Sequence, residues 1–367
     1  MKILKFILLF SIISGSAPTY SQTSVEEEAV KAFNDKKYDK AYIFFSQALE
    51  REPHNADFAY YTVWCANAVE DYSQASFIAS QFLTNQWNHK VAIEYAYALK
   101  NSENYIEAVD IYQKILASDR NNPYVNYQLG LTWKAMKENH KALGQFKYCI
   151  ENNLYLAESY YEAGCLYNAN YDLENAKYYL QEAIKHKERY ADAYFELGMA
   201  FFASQNTYLA LDNIYTATQI DPLNPLYTAK IGDMYFSNLT MKSYEKALHY
   251  YLASIENKTD DAGVYFKTGW IYNHIKDYAN AIKYLTTATE MQPDKKDFWV
   301  ELGYAYYYSQ SYKEAILVLN KALVFDPKDD FIIYLLAKSY KDIGDQENFD
   351  TQKQILRNLH SVYEQKL

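Results

Sequence analysis

The sequence predicts an all-α solenoid built from helix-turn-helix repeats, and two residue series with one common period are the basis of that prediction. Glycines recur at nearly constant intervals: Gly130, Gly164, Gly198 and Gly232 are 34 residues apart, Gly269 follows after 37 and Gly303 after another 34. Alanines keep the same step: Ala108, Ala142, Ala176, Ala210, Ala247, Ala281 and Ala315. A fixed period of this length is the signature of a protein in which each repeat is one supersecondary unit.

Each repeat holds two predicted helices. In the sixth repeat, Tyr194, Leu197 and Phe201 recur at three- and four-residue steps, which places them on one helical face. The second helix of that repeat is predicted over residues 209–220 and ends before Pro222, because proline stops a helix.

The small residues of the two series have a predicted packing role. Gly198 and Ala210 would let the two helix backbones of the repeat approach where larger side chains would hold them apart. A glycine inside a helix costs about 1 kcal/mol relative to alanine, so its repeated placement requires such a reason.

The pattern resembles the tetratricopeptide repeat family, whose unit is a helix-turn-helix with Leu-Gly, an aromatic residue, Ala, an aromatic residue or Leu, Ala and Pro in fixed order. The clearest matches are Leu197-Gly198-Phe201-Ala210-Ala217-Pro222 and Leu302-Gly303-Tyr306-Ala315-Leu319-Ala322-Pro327. The resemblance implies a right-handed α-solenoid with about nine repeats in residues 22–329. Residues 330–367 would form a polar C-terminal repeat that caps the stack.

Two regions depart from this pattern. The second repeat has Val63 where a small residue is expected, and Phe82 and Trp87 where Ala and Pro are usual, which leaves its packing open. The seventh repeat is three residues longer, and the insertion falls in Ser237–Lys242. A tolerated surface insertion and a recognition loop are both compatible with that position.

The N-terminus is predicted to be a signal peptide over residues 1–21. Lys2 and Lys5 precede an apolar run from Phe6 to Ile13, and small residues precede Gln22. An uncleaved anchor is the alternative, although eight apolar residues fall far short of the roughly 20 that a membrane-spanning helix needs. The protein is therefore expected to be exported to the periplasm or the extracellular space, with no transmembrane segment after signal removal.

Charge and cysteine content restrict the possible partners. Cleavage after residue 21 would leave 34 basic and 46 acidic residues, a formal charge of −12, which disfavours nucleic acid. Cys65, Cys149 and Cys165 are too few for a disulfide framework and are expected to be buried free thiols. A Cys149–Cys165 bridge is the alternative in an oxidising compartment.

No catalytic or metal-binding motif is visible in the sequence. A nucleophile elbow, a zinc-binding helix, a phosphate-binding glycine loop and a calcium loop are all absent. The prediction is a non-catalytic binding protein with no cofactor and no metal.

The resemblance implies that a groove on the inner face of the first helices binds the partner. Residues at three positions relative to the series glycine, three before it, one after it and four after it, are predicted to line this groove. The predicted groove residues are Trp64, Tyr97, Tyr127, Tyr161, Phe195, Phe202, Phe266, Trp270, Tyr304, Tyr307 and Tyr334. The carboxylate clamp known in some family members is not carried over, because its places hold Tyr127, Tyr161, Met199 and Trp270.

Two interpretations of these rings remain open at the sequence level. They either face a ligand, since aromatic side chains supply contact area at low entropy cost, or stack between adjacent first helices as core. The leading hypothesis is a scaffold or adaptor of the bacterial cell envelope that binds a protein or peptide partner. A module that binds a glycan or another polymer is the alternative.

Overall fold

The computed structural model describes residues 24–237 and 243–367, which form α-helices joined by short connections and contain no β-strand within those ranges. The chain divides into two compact units, residues 1–166 and 167–367. The helices of the N-terminal unit are α1 (Val25–Asn34), α2 (Tyr38–Arg51), α3 (Ala56–Ala68), α4 (Tyr72–Asn85), α5 (His89–Asn101), α6 (Tyr105–Leu116), α7 (Pro123–Ala135) and α8 (Asn139–Glu151). Helix α9 (Leu156–Ala169) contains the division between the units.

The C-terminal unit has the same alternation of helices. It contains α10 (Leu173–His186), α11 (Ala191–Ala203), α12 (Thr207–Ile220), α13 (Pro225–Ser237), α14 (Tyr244–Glu256), α15 (Ala262–His274), α16 (Tyr278–Met291), α17 (Lys296–Tyr308), α18 (Tyr312–Leu323), α19 (Asp330–Asp342) and α20 (Gln346–Asn358), followed by a short 3-10 helix, Glu364–Lys366. Odd-numbered helices are the first helices of the hairpins and even-numbered helices are the second. The predicted all-α solenoid fold class is confirmed.

Local sequence explains where the helices begin and turn. Side chains such as Asn88, Asp277 and Asp329 cap helix N-termini by accepting hydrogen bonds from backbone N–H groups of the first turn. Between the two helices of a hairpin, one residue adopts the left-handed conformation and reverses the chain. Its φ lies between 58° and 66° at Lys36, Glu70, Glu103, Lys137, Tyr171, Gln205, Lys276 and Gln310.

The series glycines permit close contact between the two helices of a hairpin. A Cβ atom added to Gly198 would lie 2.5 Å from Ile214 Cγ1 and 2.9 Å from the Ala210 carbonyl oxygen. Gly144, which lies outside the series, would meet no atom within 4 Å. The glycine positions are therefore fixed by packing, as the sequence predicts.

The second repeat replaces this packing by exchanging side-chain volume. Val63 takes the place of the series glycine and is fully buried. The second-helix position whose side chain meets the glycine elsewhere, Leu285 against Gly269, is occupied here by the equally buried Ala79. Val63 and Ala79 belong to one buried cluster, so the larger residue on the first helix is matched by a smaller one on the second.

The cysteines lie within the packed helices. Cys65 and Cys149 are buried and Cys165 is half-buried. Burial raises the pKa of the Cys65 thiol to about 12 and that of Cys149 to about 11, which disfavours the reactive thiolate. That Cys149 and Cys165 stay unlinked in an oxidising compartment remains a prediction.

Two predicted features fall outside the described residues. The signal peptide at 1–21 is one, and residues 238–242, which hold most of the insertion of the seventh repeat, are the other. Among the helices that are described, none combines the length and the apolar character needed to cross a bilayer.

Candidate functional site

An open cleft of about 500 Å³ lies on the first-helix side of the C-terminal unit. It is formed by α13, α15 and α17 together with the first residue of α14. Its lining residues are Phe236, Tyr244, Phe266, Trp270, Asp297, Val300 and Glu301. Four aromatic rings and two carboxylates therefore line one open cleft.

Three of these rings form a compact group, the C-terminal ring cluster, made of Phe236, Tyr244 and Trp270. The ring centroid of Trp270 lies 5.3 Å from that of Phe236 and 5.4 Å from that of Tyr244, both in edge-on orientation. The imidazole of His274 stacks on Trp270 at 5.4 Å. These contacts hold the indole at the wall of the cleft.

The carboxylate side of the cleft is fixed by a neighbouring helix. Asn273 Nδ2 on α15 donates hydrogen bonds to the Glu301 backbone oxygen at 3.0 Å and to Glu301 Oε2 at 2.8 Å. Burial raises the pKa of the Glu301 carboxyl, an effect that the Asn273 hydrogen bond opposes. Asp297 is exposed and makes no ion pair with a described residue. The cleft therefore carries acidic charge.

The same amide contact recurs between successive first helices. Asn67 Nδ2 donates to the backbone and side-chain oxygens of Glu94, and Asn168 Nδ2 does so to those of Glu196. Lys134 Nζ reaches Glu162 Oε2 at 2.6 Å from the equivalent position. Position four after the series glycine thus joins adjacent repeats.

The N-terminal unit contains an equivalent group, the N-terminal ring cluster, made of Phe33, Tyr38 and Trp64. The ring centroid of Trp64 lies 4.9 Å from that of Phe33 and 5.0 Å from that of Tyr38. Each member occupies the same place in its hairpin as a member of the C-terminal ring cluster. The same arrangement is therefore present in both units.

Two predicted groove residues are enclosed by their neighbours. Phe195 and Tyr307 are each only 8% exposed. The Phe195 ring stacks on Tyr227 at 5.0 Å, and the Tyr307 hydroxyl donates to Asp342 Oδ2 at 2.9 Å. These two side chains pack between helices and offer little surface to a ligand.

The other predicted groove residues are half-buried and contact rings nearby. Phe266 stacks on Phe298 at 4.6 Å while still lining the cleft. Other ring pairs are Tyr97–Tyr72 at 6.4 Å, Tyr127–Tyr155 at 5.1 Å, Tyr304–Tyr308 at 4.4 Å and Tyr334–Tyr363 at 4.9 Å. Tyr161 and Phe202 are half-buried on α9 and α11. Of the predicted residues, Phe266 and Trp270 meet in the described cleft.

Sequence reasoning missed the tyrosine at the start of several second helices. Tyr38, Tyr72 and Tyr244 begin α2, α4 and α14, and each packs against the residue one after the series-glycine position of the next repeat. The signal was available, because each of these tyrosines lies three residues before the repeated alanine of its second helix. Asp297 and Glu301 had no such signal, since carboxylates are common along the whole chain.

The described part of the chain offers no metal centre. Within residues 24–237 and 243–367, no group of three His, Cys, Asp or Glu side chains is placed to hold an ion.

Comparison with known proteins identifies the repeat. Residues 275–330 match the tetratricopeptide repeat family. No curated protein matches the chain. Among solved structures, a tetratricopeptide repeat protein from Parabacteroides merdae is 15% identical, with 77% of this chain and 97% of that chain covered and a TM-score of 0.46. PilF from Pseudomonas aeruginosa is 19% identical, with 57% and 96% covered and a TM-score of 0.44.

MamA from Desulfovibrio magneticus, from residue 41 to its end, is 16% identical, with 46% and 94% covered and a TM-score of 0.42. Residues 275–330, the segment that matches the tetratricopeptide repeat family, contain α16, α17 and α18. The hairpin geometry of these helices, with capped N-termini and a left-handed turn residue, is repeated in both units. The match to the tetratricopeptide repeat family thus covers residues 275–330 of an all-α chain built from repeated helical hairpins.

Proposed function

We propose that this protein is a non-catalytic scaffold of the bacterial cell envelope that binds a protein or peptide partner through the cleft between α13, α15 and α17. The observation that carries the proposal is the cleft itself, with four aromatic rings converging in about 500 Å³. Tyrosine and tryptophan are enriched among the few residues that contribute most of the binding energy at protein interfaces.

The packing around the cleft supports a binding role over a purely structural one. Trp270 is held by Phe236, Tyr244 and His274, yet it still lines open volume. A ring that is pre-positioned by its neighbours loses little conformational entropy when a partner binds. Phe195 and Tyr307, by contrast, are buried between helices.

Cross-linking of the tagged protein in the envelope fraction tests this function. We expect one stoichiometric protein partner whose yield falls when Trp270 is replaced by alanine. The yield should be unchanged for Tyr208→Ala, an exposed tyrosine on α12 outside the cleft. Equal yields for the two variants would contradict the assignment of the cleft.

A glycan or polymer ligand is the second candidate, because aromatic rings also stack on sugars. Binding of the protein to a polysaccharide array, lost in Trp270→Ala and without a cross-linked protein partner, would favour this alternative.

The envelope setting depends on the signal peptide proposed for residues 1–21. The apolar run from Phe6 to Ile13 after Lys2 and Lys5 supports it. Mass spectrometry of the exported protein should find a chain that begins at Gln22. A full-length chain confined to the cytosol would contradict the export.

A further inference from the structure

Several half-buried rings on the first helices hold a lysine of the chain itself. Lys90 Nζ lies 5.8 Å from the centroid of Tyr60, and Lys100 Nζ lies 5.0 Å from that of Tyr97. Lys338 Nζ lies 5.5 Å from the centroid of Tyr334. A cation within about 6 Å of a ring face is attracted by the quadrupole of the ring. At these positions a ring face and an ammonium group therefore come into contact.

Phe236, Phe266 and Trp270, three rings of the cleft, have no lysine or arginine over them among the described residues. Phe266 occupies the position that Tyr60 has in the second repeat, and the place of Lys90 is taken by Asp297. The position that holds an ammonium group in the N-terminal unit thus holds a carboxylate in the C-terminal unit.

The described side chains that line the cleft give it acidic charge. Asp297 and Glu301 line it, and no basic side chain is among the described residues of its lining. The nearby cation of α15, Lys267, is bound at 2.6 Å to Asp233, which also accepts a hydrogen bond from the Tyr251 hydroxyl. An ammonium or guanidinium group entering from outside would gain both the ring faces and the two carboxylates.

We propose that the cleft lined by Phe266, Trp270 and Asp297 takes a lysine or arginine side chain from an extended segment of the partner protein. The proposal rests on the proposed function and specifies the chemistry of the partner. A cation is favoured over a neutral or anionic segment because complementary charge steers encounter and like charge is repelled.

Selection from a library of random 12-residue peptides displayed on phage tests this proposal. Immobilised full chain serves as the bait at physiological ionic strength, and Trp270→Ala serves to remove peptides that bind elsewhere. We expect the retained peptides to be enriched in lysine or arginine. Synthetic copies should then lose at least tenfold in affinity for Asp297→Lys, measured by fluorescence anisotropy.

A matched charge reversal separates local from general attraction. Asp212 is exposed on α12 of the same unit and outside the cleft, so Asp212→Lys changes the net charge by the same amount. It should change the peptide affinity by less than twofold. Equal losses for the two lysine variants would overturn the proposal, and so would retained peptides that are neutral or acidic.

The same experiment distinguishes this proposal from the proposed function. If the retained peptides are neutral or acidic but still require Trp270, the cleft binds peptides without a preference for cations. The proposed function then stands, and only the present proposal fails. If no peptide distinguishes the parent from Trp270→Ala, and none distinguishes it from Asp297→Lys, both proposals fail. Asp297→Lys changes an exposed side chain, so it keeps the test valid even if the tryptophan variant does not fold.

Discussion

The N-terminal and C-terminal ring clusters place three aromatic side chains at equivalent points of two hairpins, and their centroid distances agree to within half an ångström. Their surroundings differ. Beside the N-terminal ring cluster, Lys90 lies near Tyr60 and Asp57. Beside the C-terminal ring cluster, Asp297 faces open volume without an ion pair among the described residues.

The comparison separates a packing motif from a binding site. The rings themselves are part of the repeat, because the same first-helix and second-helix positions bring them together in both units. The side chain that the next first helix adds, Lys90 or Asp297, decides whether a cation is supplied by the chain or must come from outside. Variants that alter one ring cluster, with the other ring cluster as the control, therefore test this difference most directly.

The largest expected effect concerns the packing beneath the rings. Leu285→Ala should lower the free energy of unfolding by about 2–5 kcal/mol, because it leaves a cavity in the buried core. Adding Gly269→Val should restore at least about 1 kcal/mol, since the pair would then resemble Val63 and Ala79. Chemical denaturation measures each variant.

Gly269→Val alone adds side-chain volume at the same contact without removing any from Leu285. It should destabilise by about 1–3 kcal/mol, because its Cβ would lie 2.5 Å from Leu285 Cγ. Gly144→Val, at a position with open space, should cost much less. Strictly additive losses in the double variant would show that the two positions do not exchange volume.

Loss of the tryptophan should separate the two clusters in binding. Trp270→Ala is expected to weaken partner binding by about 2–4 kcal/mol, as loss of a central aromatic anchor does. Trp64→Ala should leave that affinity unchanged, although it removes equivalent ring contacts. Calorimetric titration with the partner identified by cross-linking measures the affinity, and thermal melts in parallel measure the stability of each variant.

A Trp270→Ala variant that melts far below the parent and binds its partner as before would identify this ring as core. The cleft would then have to be abandoned as the binding surface, while the fold assignment would stand.

The contact between asparagine and glutamate of adjacent first helices should contribute the same free energy of unfolding in both units. Asn67→Ala and Asn273→Ala should each cost about 1–3 kcal/mol of unfolding free energy, because a glutamate carboxylate and a backbone oxygen lose a donor. The pKa of Glu301, already raised by burial, should rise further when the Asn273 hydrogen bond is removed. Denaturation and carboxyl NMR titration measure the two effects.

The control for the amide variants is Asn320→Ala. Asn320 is exposed and bonds only the Ile316 carbonyl of its own helix, so it should cost less than about 0.5 kcal/mol. Losses of similar size at all three asparagines would mean that the contact between repeats adds nothing.

The smallest expected effect is a transfer of charge preference to the N-terminal unit. Lys90→Asp gives the N-terminal ring cluster the carboxylate that Asp297 provides in the C-terminal unit. A lysine-rich peptide of alternating Lys and Gly residues should then bind about threefold to tenfold more tightly in anisotropy titrations. If Lys90→Asp in a Trp64→Ala background gains as much, the rings contribute nothing to the gain.

The helix pairs could be predicted from the sequence, but part of the candidate site could not, and one physical reason explains both outcomes. The 34-residue period reports contacts inside a hairpin, where Gly198 meets Ile214 and Ala210, and such contacts tie residue type to position. Tyr38 and Tyr244 follow the same period but lie on second helices, which sequence reasoning did not assign to the groove. Asp297 interrupts no pattern, so nothing in the sequence distinguished it from other surface carboxylates.

By itself, the sequence determined the all-α repeat fold, because glycine, alanine and apolar residues can recur at this period only if the same two helices pack in each repeat. It also determined that aromatic rings gather on the first helices. Tertiary structure alone decided that Phe195 and Tyr307 are enclosed while Phe266 and Trp270 line a cleft. Exposure of a ring depends on the side chains that the next helix brings over it, and those residues are about 30 positions away in the chain.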